Sequence, residues 1–396
     1  MSADPLRRAA AVAFAALPLA VACSSGSTAI PAPAPVATTT LIARLGVDTV
    51  AVEQFTRTST HMEGTLLTRF PATRVTRYSV DLGSSAAPAR ANLTLRDGAG
   101  ASLPGGLQSL SARFGRDSVI FIGHRSTSDT TQAFAVRGPL LPSIGGSYAL
   151  WELAFARMSL LGRDSLEFAA VPLTLDTREA TPQAVRVLGR DSVRIFANGG
   201  PFYVRHDGRG GIVAADGMRT GSKVLVARAD SLDLDALARE WAQRDRSTAG
   251  GPASTRGTVQ ATVGSARLWI DYGRPALRGR DVWVNGVLGD TLWRTGANAA
   301  TQLRTDVDLV VGGTTVPAGT YTLWTATTGG YRLVINRGTE NAYDAKLDVA
   351  RVPLREGVVP ASVERFTIDV EPQSAGGALL NLTWGTKRLS VRVAPR

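Results

Sequence analysis

The 396-residue chain holds one cysteine, Cys23, and three histidines, His61, His124 and His206. A single cysteine excludes an internal disulfide, so the core holds together without covalent staples. If Cys23 is consumed by modification, no thiol remains as a nucleophile or metal ligand. The three histidines lie far apart, and no two have the spacing of a metal site or a catalytic base pair. No run of about 18 apolar residues follows Cys23, so a helical membrane span is not expected. The G-x-S-x-G elbow, the H-E-x-x-H helix, the P-loop and G-x-G-x-x-G are also missing, which removes sequence support for the common hydrolase, metalloprotease and nucleotide-binding mechanisms. No cofactor and no bound metal are expected. Asp230, Asp233 and Asp235 lack the glycine and terminal glutamate of a calcium loop and read as helix-capping residues.

Lysine is nearly absent too. Only Lys223, Lys346 and Lys387 occur, so the net charge of +11 is carried almost wholly by arginine. The arginines are dispersed and form no basic block, so nucleic acid is not the expected partner.

What is present begins at the N-terminus. Arg7 and Arg8 precede a charge-free stretch from Ala9 to Ala22 that ends in Leu19-Ala20-Val21-Ala22-Cys23. A basic start and a short apolar run form a signal peptide, residues 1–22, too short to span a bilayer comfortably. The small residues before the cysteine resemble the lipobox of bacterial lipoproteins, although the leucine stands four positions before Cys23 rather than three. The resemblance implies acylation of Cys23 and a lipid anchor, worth about 0.8 kcal/mol per buried methylene. Ser24, where inner-membrane lipoproteins carry aspartate, points to the periplasmic face of the outer membrane in the cell envelope. Residues 23–40 continue as a Ser/Pro/Ala tether that reaches roughly 50 Å at about 3.1 Å per residue.

Beyond the tether the pattern is mainly β. From Leu41 to Asp245 short alternating segments such as Val193-Arg194-Ile195-Phe196 and Phe202-Tyr203-Val204-Arg205 are separated by glycine-rich turns, which predicts a curved antiparallel sheet. The motif recurs as Gly46 to Val50, Gly115 to Val119, Gly162 to Leu166 and Gly189 to Val193. Each copy is expected to be a hairpin turn feeding a strand. One helix is expected at residues 233–245, where Leu234, Leu237, Ala238 and Trp241 share a face behind an Asp cap. Residues 246–258, RSTAGGPASTRGT, read as a linker to a second domain over 259–396, expected to be a β-sandwich or jelly roll. Trp269, Trp283, Trp293, Trp324 and Trp384 lie there and are expected to fill its core rather than to stack on sugars.

The second domain carries a specific set of residues: Asp271-Tyr272-Gly273-Arg274-Pro275, then Arg278-Gly279-Arg280, then Trp293-Arg294-Thr295-Gly296-Ala297-Asn298 with Thr301. Val316-Pro317-Ala318-Gly319-Thr320-Tyr321, Val334-Ile335-Asn336 and Phe366-Thr367-Ile368 follow. Over about 266–393 this resembles the bacterial family DUF2911, a domain of unknown function that brings no reaction with it. The family's usual Pro-aromatic-Gly turn before the tryptophan is replaced here by Asn285 to Asp290.

The candidate ligand-binding residues are Tyr272, Arg274, Arg280, Trp293, Arg294 and Asn298. Guanidinium forks beside an aromatic ring and an amide suit a carboxylate, phosphate or sugar. The same residues could equally brace strands from within. The expected partners are a membrane through the lipid anchor, and a small anionic or sugar ligand or an envelope protein. The sequence thus points to an exported, lipid-anchored binding protein without catalysis. The alternative is an envelope hydrolase acting on glycans through paired carboxylates that sequence spacing does not reveal.

Overall fold

The structure is a computed structural model describing residues 37–396 apart from 178, 249–252, 285–287, 289, 290, 340 and 375. The signal peptide, Cys23 and the tether as far as residue 36 therefore lie outside the described residues. None of the described helices is long and apolar enough to cross a membrane.

The N-terminal part is one sheet of fifteen strands. Its centre is the pair Thr39–Leu45 and Leu225–Ala229, the first and last strands of the region, which run antiparallel. On one side the chain meanders through successive hairpins to the edge strand Asp129–Ala135. On the other side it returns from Leu140–Ser143, the opposite edge, back to Leu225–Ala229. All pairings are antiparallel except that of Leu140–Ser143 with Ser165–Pro172, which is parallel. Alternation of apolar and polar residues along each strand gives one buried face, and the sheet curls so that this face is filled from within.

What fills it is helix α1, Trp151–Leu161, with the segment leading into it. Tyr148, Leu150, Leu153, Ala154, Phe155 and Met158 join one cluster with Phe55, Met62, Phe121, Ile195 and Phe202 of the sheet. A second helix, α2, spans Leu234–Thr248 and lies on the outer face, where Leu234, Ala238 and Trp241 cover Val52, Leu67 and Val75. Asp233 begins α2 by accepting the Ala236 amide at 2.8 Å. Asp245 anchors its other end through the Thr73 amide and hydroxyl, both at 2.7 Å. The expected helix at 233–245 is thus present with the expected face, and α1 is an addition to it.

Three of the four recurrent Gly-Xaa-Asp turns are hairpins, at Gly46, Gly115 and Gly189. The fourth is not. Gly162 ends α1 in the left-handed conformation, φ 59°, with its amide and that of Arg163 returned to Met158. The same Gly-Arg-Asp-Ser serves there because glycine tolerates positive φ at a helix C-terminus as readily as in a hairpin.

The C-terminal part packs a seven-stranded sheet against a four-stranded one. The larger sheet is built around Ala266–Arg274, Thr301–Thr305, Gly319–Ala326 and Arg332–Asn336, and the smaller around the long pair Arg355–Pro372 and Ala378–Pro395. Their facing sides share one apolar core that includes Leu268, Ile270, Trp293, Leu323, Phe366 and Trp384. This is the expected sandwich. At the expected linker, α2 runs on to Thr248 and the first sandwich strand, Thr255–Val263, starts at Thr255.

The two parts meet at Arg278. Its carbonyl accepts the Val47 amide of the first hairpin at 2.9 Å, and its guanidinium pairs with Asp48 and donates to the Ala253 carbonyl. Gly46 is required at this junction, because a Cβ there would lie 2.0 Å from the Arg278 carbonyl oxygen.

Candidate functional site

The Trp293-to-Asn298 turn is seated on the strand Ala266–Arg274. Gly273 makes the seat: a Cβ at this position would come within 2.0 Å of the Ala297 carbonyl oxygen, so only glycine lets the two backbones meet. The turn takes left-handed backbone at Thr295, φ 50°, and Asn298, φ 63°. It is closed by Trp293 Nε1 donating to the Gly296 carbonyl at 2.9 Å and Thr301 Oγ1 donating to the Thr295 carbonyl at 2.6 Å. The Thr295 and Thr325 hydroxyls bond each other at 2.8 Å beneath it. The buried Trp293 ring stacks on Trp384 and meets Phe366 and Trp283 edge-on.

The six candidate residues fall into three positions around this turn. Tyr272 is buried, accepts the Ile368 amide at 3.1 Å and stands edge-on to Phe366. Arg274 reaches across to the Phe366 carbonyl and the Thr367 hydroxyl, tying the two sheets together. Trp293, Arg294 and Asn298 lie in the turn itself, where Arg294 donates to the Asn298 carbonyl. Arg280 closes its own loop by donating to the Leu277 and Ala276 carbonyls, both at 2.8 Å. The structure therefore brings Tyr272, Arg274 and Trp293 together as core and brace, while Arg280 and Arg294 are half-buried in their loops and Asn298 is exposed.

Arg280 and Arg294 share their surroundings with a residue from the other part of the molecule. Lys223, in the turn between Ile212–Asp216 and Leu225–Ala229, is half-buried, with left-handed backbone at φ 52° and its ammonium donating to the Thr220 carbonyl at 3.4 Å. Burial, and then the neighbouring charges of Arg280 and Arg294, push its ammonium down from 10.5 to about 8. Burial likewise lowers Arg280. Arg280 feels Arg278 as a like charge, and Glu364 and Asp48 as opposite ones that partly offset it. Lys223 was not legible as a partner of the arginines, because 57 residues of chain separate it from Arg280.

The described residues contain a second charged centre, inside the N-terminal sheet. The Glu53 carboxylate is buried and accepts the Tyr148 and Ala149 amides at 2.9 and 3.0 Å, the Ser147 hydroxyl at 2.6 Å and the Tyr78 hydroxyl at 2.8 Å. It holds the entry to α1, whose N-cap, Leu150, makes no side-chain cap bond. Burial raises its pKa despite these donors. Glu152 accepts the Ile212 amide at 2.8 Å and pairs with Arg57 at 2.9 Å, and burial raises it as well. One sequence signal could have found Glu53: it stands between Ala51 and Phe55 on the inward parity of its strand, where alternation calls for an apolar side chain.

The fold is that of a two-part β protein whose C-terminal part is a sandwich. Residues 254–393 match the family model described as "Protein of unknown function (DUF2911)", so the likeness belongs to the sandwich, about a third of the chain. No curated protein matches the chain. A solved structure, that of a DUF1089 family protein from Pseudomonas aeruginosa, is similar at 14% identity and a TM-score of 0.33, covering 44% of this chain and 92% of that one.

Proposed function

We propose that this protein is a non-catalytic binding protein of the cell envelope, anchored through an acylated Cys23 at the periplasmic face of the outer membrane, and that its sandwich edge binds a small anion. The convergence of Lys223, Arg280 and Arg294 carries this reading. Two guanidinium groups and an ammonium suit a carboxylate or phosphate. Tyr272, Arg274 and Trp293 then act from behind, fixing the turn that presents Arg294 and Asn298. The glycan-hydrolase alternative needs two carboxyl groups facing a cleft. Glu53 and Glu152, the pair of buried carboxylates, are instead each bonded to backbone amides.

Two measurements test the proposal. The protein should label with fatty acid and partition into detergent, and a Cys23→Ser chain that still labels would remove the anchor. Inorganic phosphate or a small dicarboxylate should raise the thermal midpoint near pH 7, with the rise lost in Lys223→Met and Arg294→Ala. An equal rise in those variants would place the anion elsewhere.

A further inference from the structure

The curled N-terminal sheet is not sealed at the end where α1 finishes. A cavity of about 620 Å³ opens there, within the range of small-molecule sites, roughly 300–1,000 Å³. Its floor is apolar, formed by Phe155 and Met158 of α1 with Leu82 and Val193 of the sheet. Its mouth is apolar as well. Leu160 and Val187 line it at 64% and 37% exposure, and their chain neighbours Leu161 and Leu188 are exposed at 43% and 51%. Two exposed aliphatic residues lining a hollow, each beside another exposed leucine in the chain, mark a binding surface rather than scattered surface apolarity.

Charge selects the occupant. Arg57, Arg163 and Arg209 line the cavity and no carboxylate does. Arg163 and Arg209 make no ion pair among the described residues. Arg57 is held by Glu152 through Nε alone, with no side-chain hydrogen bond from its terminal nitrogens among the described residues. Two exposed arginines, Arg163 and Arg209, with the half-buried Arg57 behind them, set around an apolar hollow, match a ligand with a long hydrocarbon tail and an anionic head.

We infer that this cavity binds a long-chain fatty acid, with the tail against Phe155, Met158, Leu160 and Val187 and the carboxylate among Arg57, Arg163 and Arg209. The site is separate from the Lys223 cluster and does not depend on it.

The test uses the unacylated Cys23→Ser chain loaded with a fluorescent fatty acid. Palmitate should displace the probe, hexadecanol at least tenfold less well, and hexadecyltrimethylammonium or inorganic phosphate not at all. Leu160→Asp and Val187→Asp alter exposed side chains and should each weaken palmitate at least tenfold with an unchanged near-ultraviolet circular dichroism spectrum. Arg163→Glu with Arg209→Glu should weaken palmitate about tenfold while leaving hexadecanol unaffected. Lys223→Met should leave palmitate binding as it is, which separates this site from the anion site. Equal displacement by palmitate and hexadecanol, undiminished binding in Leu160→Asp and Val187→Asp, or association with phosphatidylglycerol vesicles but not with monomeric palmitate would each overturn the inference.

Discussion

The two parts of this molecule solve the same problem in opposite ways. The sandwich closes its core with large rings: Trp293, Trp384 and Phe366 pack face and edge with centroids 4.9–5.9 Å apart. The N-terminal sheet is one layer that must curl around something, and it curls around α1, whose entry is held by a buried carboxylate. Ring packing buries area through many small contacts, whereas Glu53 works only if four donors converge on it. The N-terminal design leaves an opening where its central helix ends.

The largest effect is expected from breaking the polar design. Glu53→Ala strands two buried amides and two hydroxyls, and should cost on the order of 3–5 kcal/mol in urea unfolding. The comparison sharpens if the tryptophan fluorescence of the sandwich survives at urea concentrations that have already unfolded the sheet. Coincident loss of both signals would mean the parts unfold as one unit.

The junction comes next. Arg278→Ala removes the ion pair with Asp48 and the bond to Ala253, in a site only partly screened by solvent. A loss of about 2–3 kcal/mol is expected, because a half-buried Asp48 is left without its partner. Such a variant should also be cut faster by protease between the two parts.

Lys223 gives a smaller effect with a defined pH window. Its folded value, about 8, lies below the ordinary 10.5, so the unfolded chain binds more protons between those values. Stability should therefore rise with pH across pH 8 to 10.5, by on the order of 1–3 kcal/mol, with this penalty constant below pH 8. Lys223→Met should flatten the rise. Saturating phosphate should flatten it too if the anion sits there.

Arg294→Ala should change least. Among the described residues its side chain bonds only the neighbouring Asn298 carbonyl, so a loss of about 0–1 kcal/mol is expected in thermal unfolding. A much larger loss would show that Arg294 braces the turn and would take it out of the anion site.

The comparison also shows which features a sequence can carry. Helix α2 was legible because it lies on a surface: one face packs on Val52, Leu67 and Val75 while the other meets water, and the contrast writes a period of 3.6 into the residues. Helix α1 has no such contrast. Leu153, Ala154, Phe155, Met158 and even Glu152 are buried on several sides, so apolar residues follow one another without a stripe. The Gly-Xaa-Asp motif was legible as a local device, but not as which device, since glycine at positive φ serves a hairpin at Gly115 and a helix end at Gly162 alike.

By itself the sequence determined what depends on neighbours along the chain: alternation into strands, turns at glycine, the Asp233 cap, the sandwich and its likeness to DUF2911. The tertiary structure alone decided what depends on residues far apart meeting. It set Lys223 beside Arg280 and Arg294, closed Glu53 with donors from a segment about 95 residues away, and put Arg278 against Asp48. It also left the end of α1 open beneath Leu160 and Val187. The reason is physical: strand, turn and cap preferences are local free energies of the backbone, whereas burial, charge repulsion and cavities exist only once separate segments share the same space.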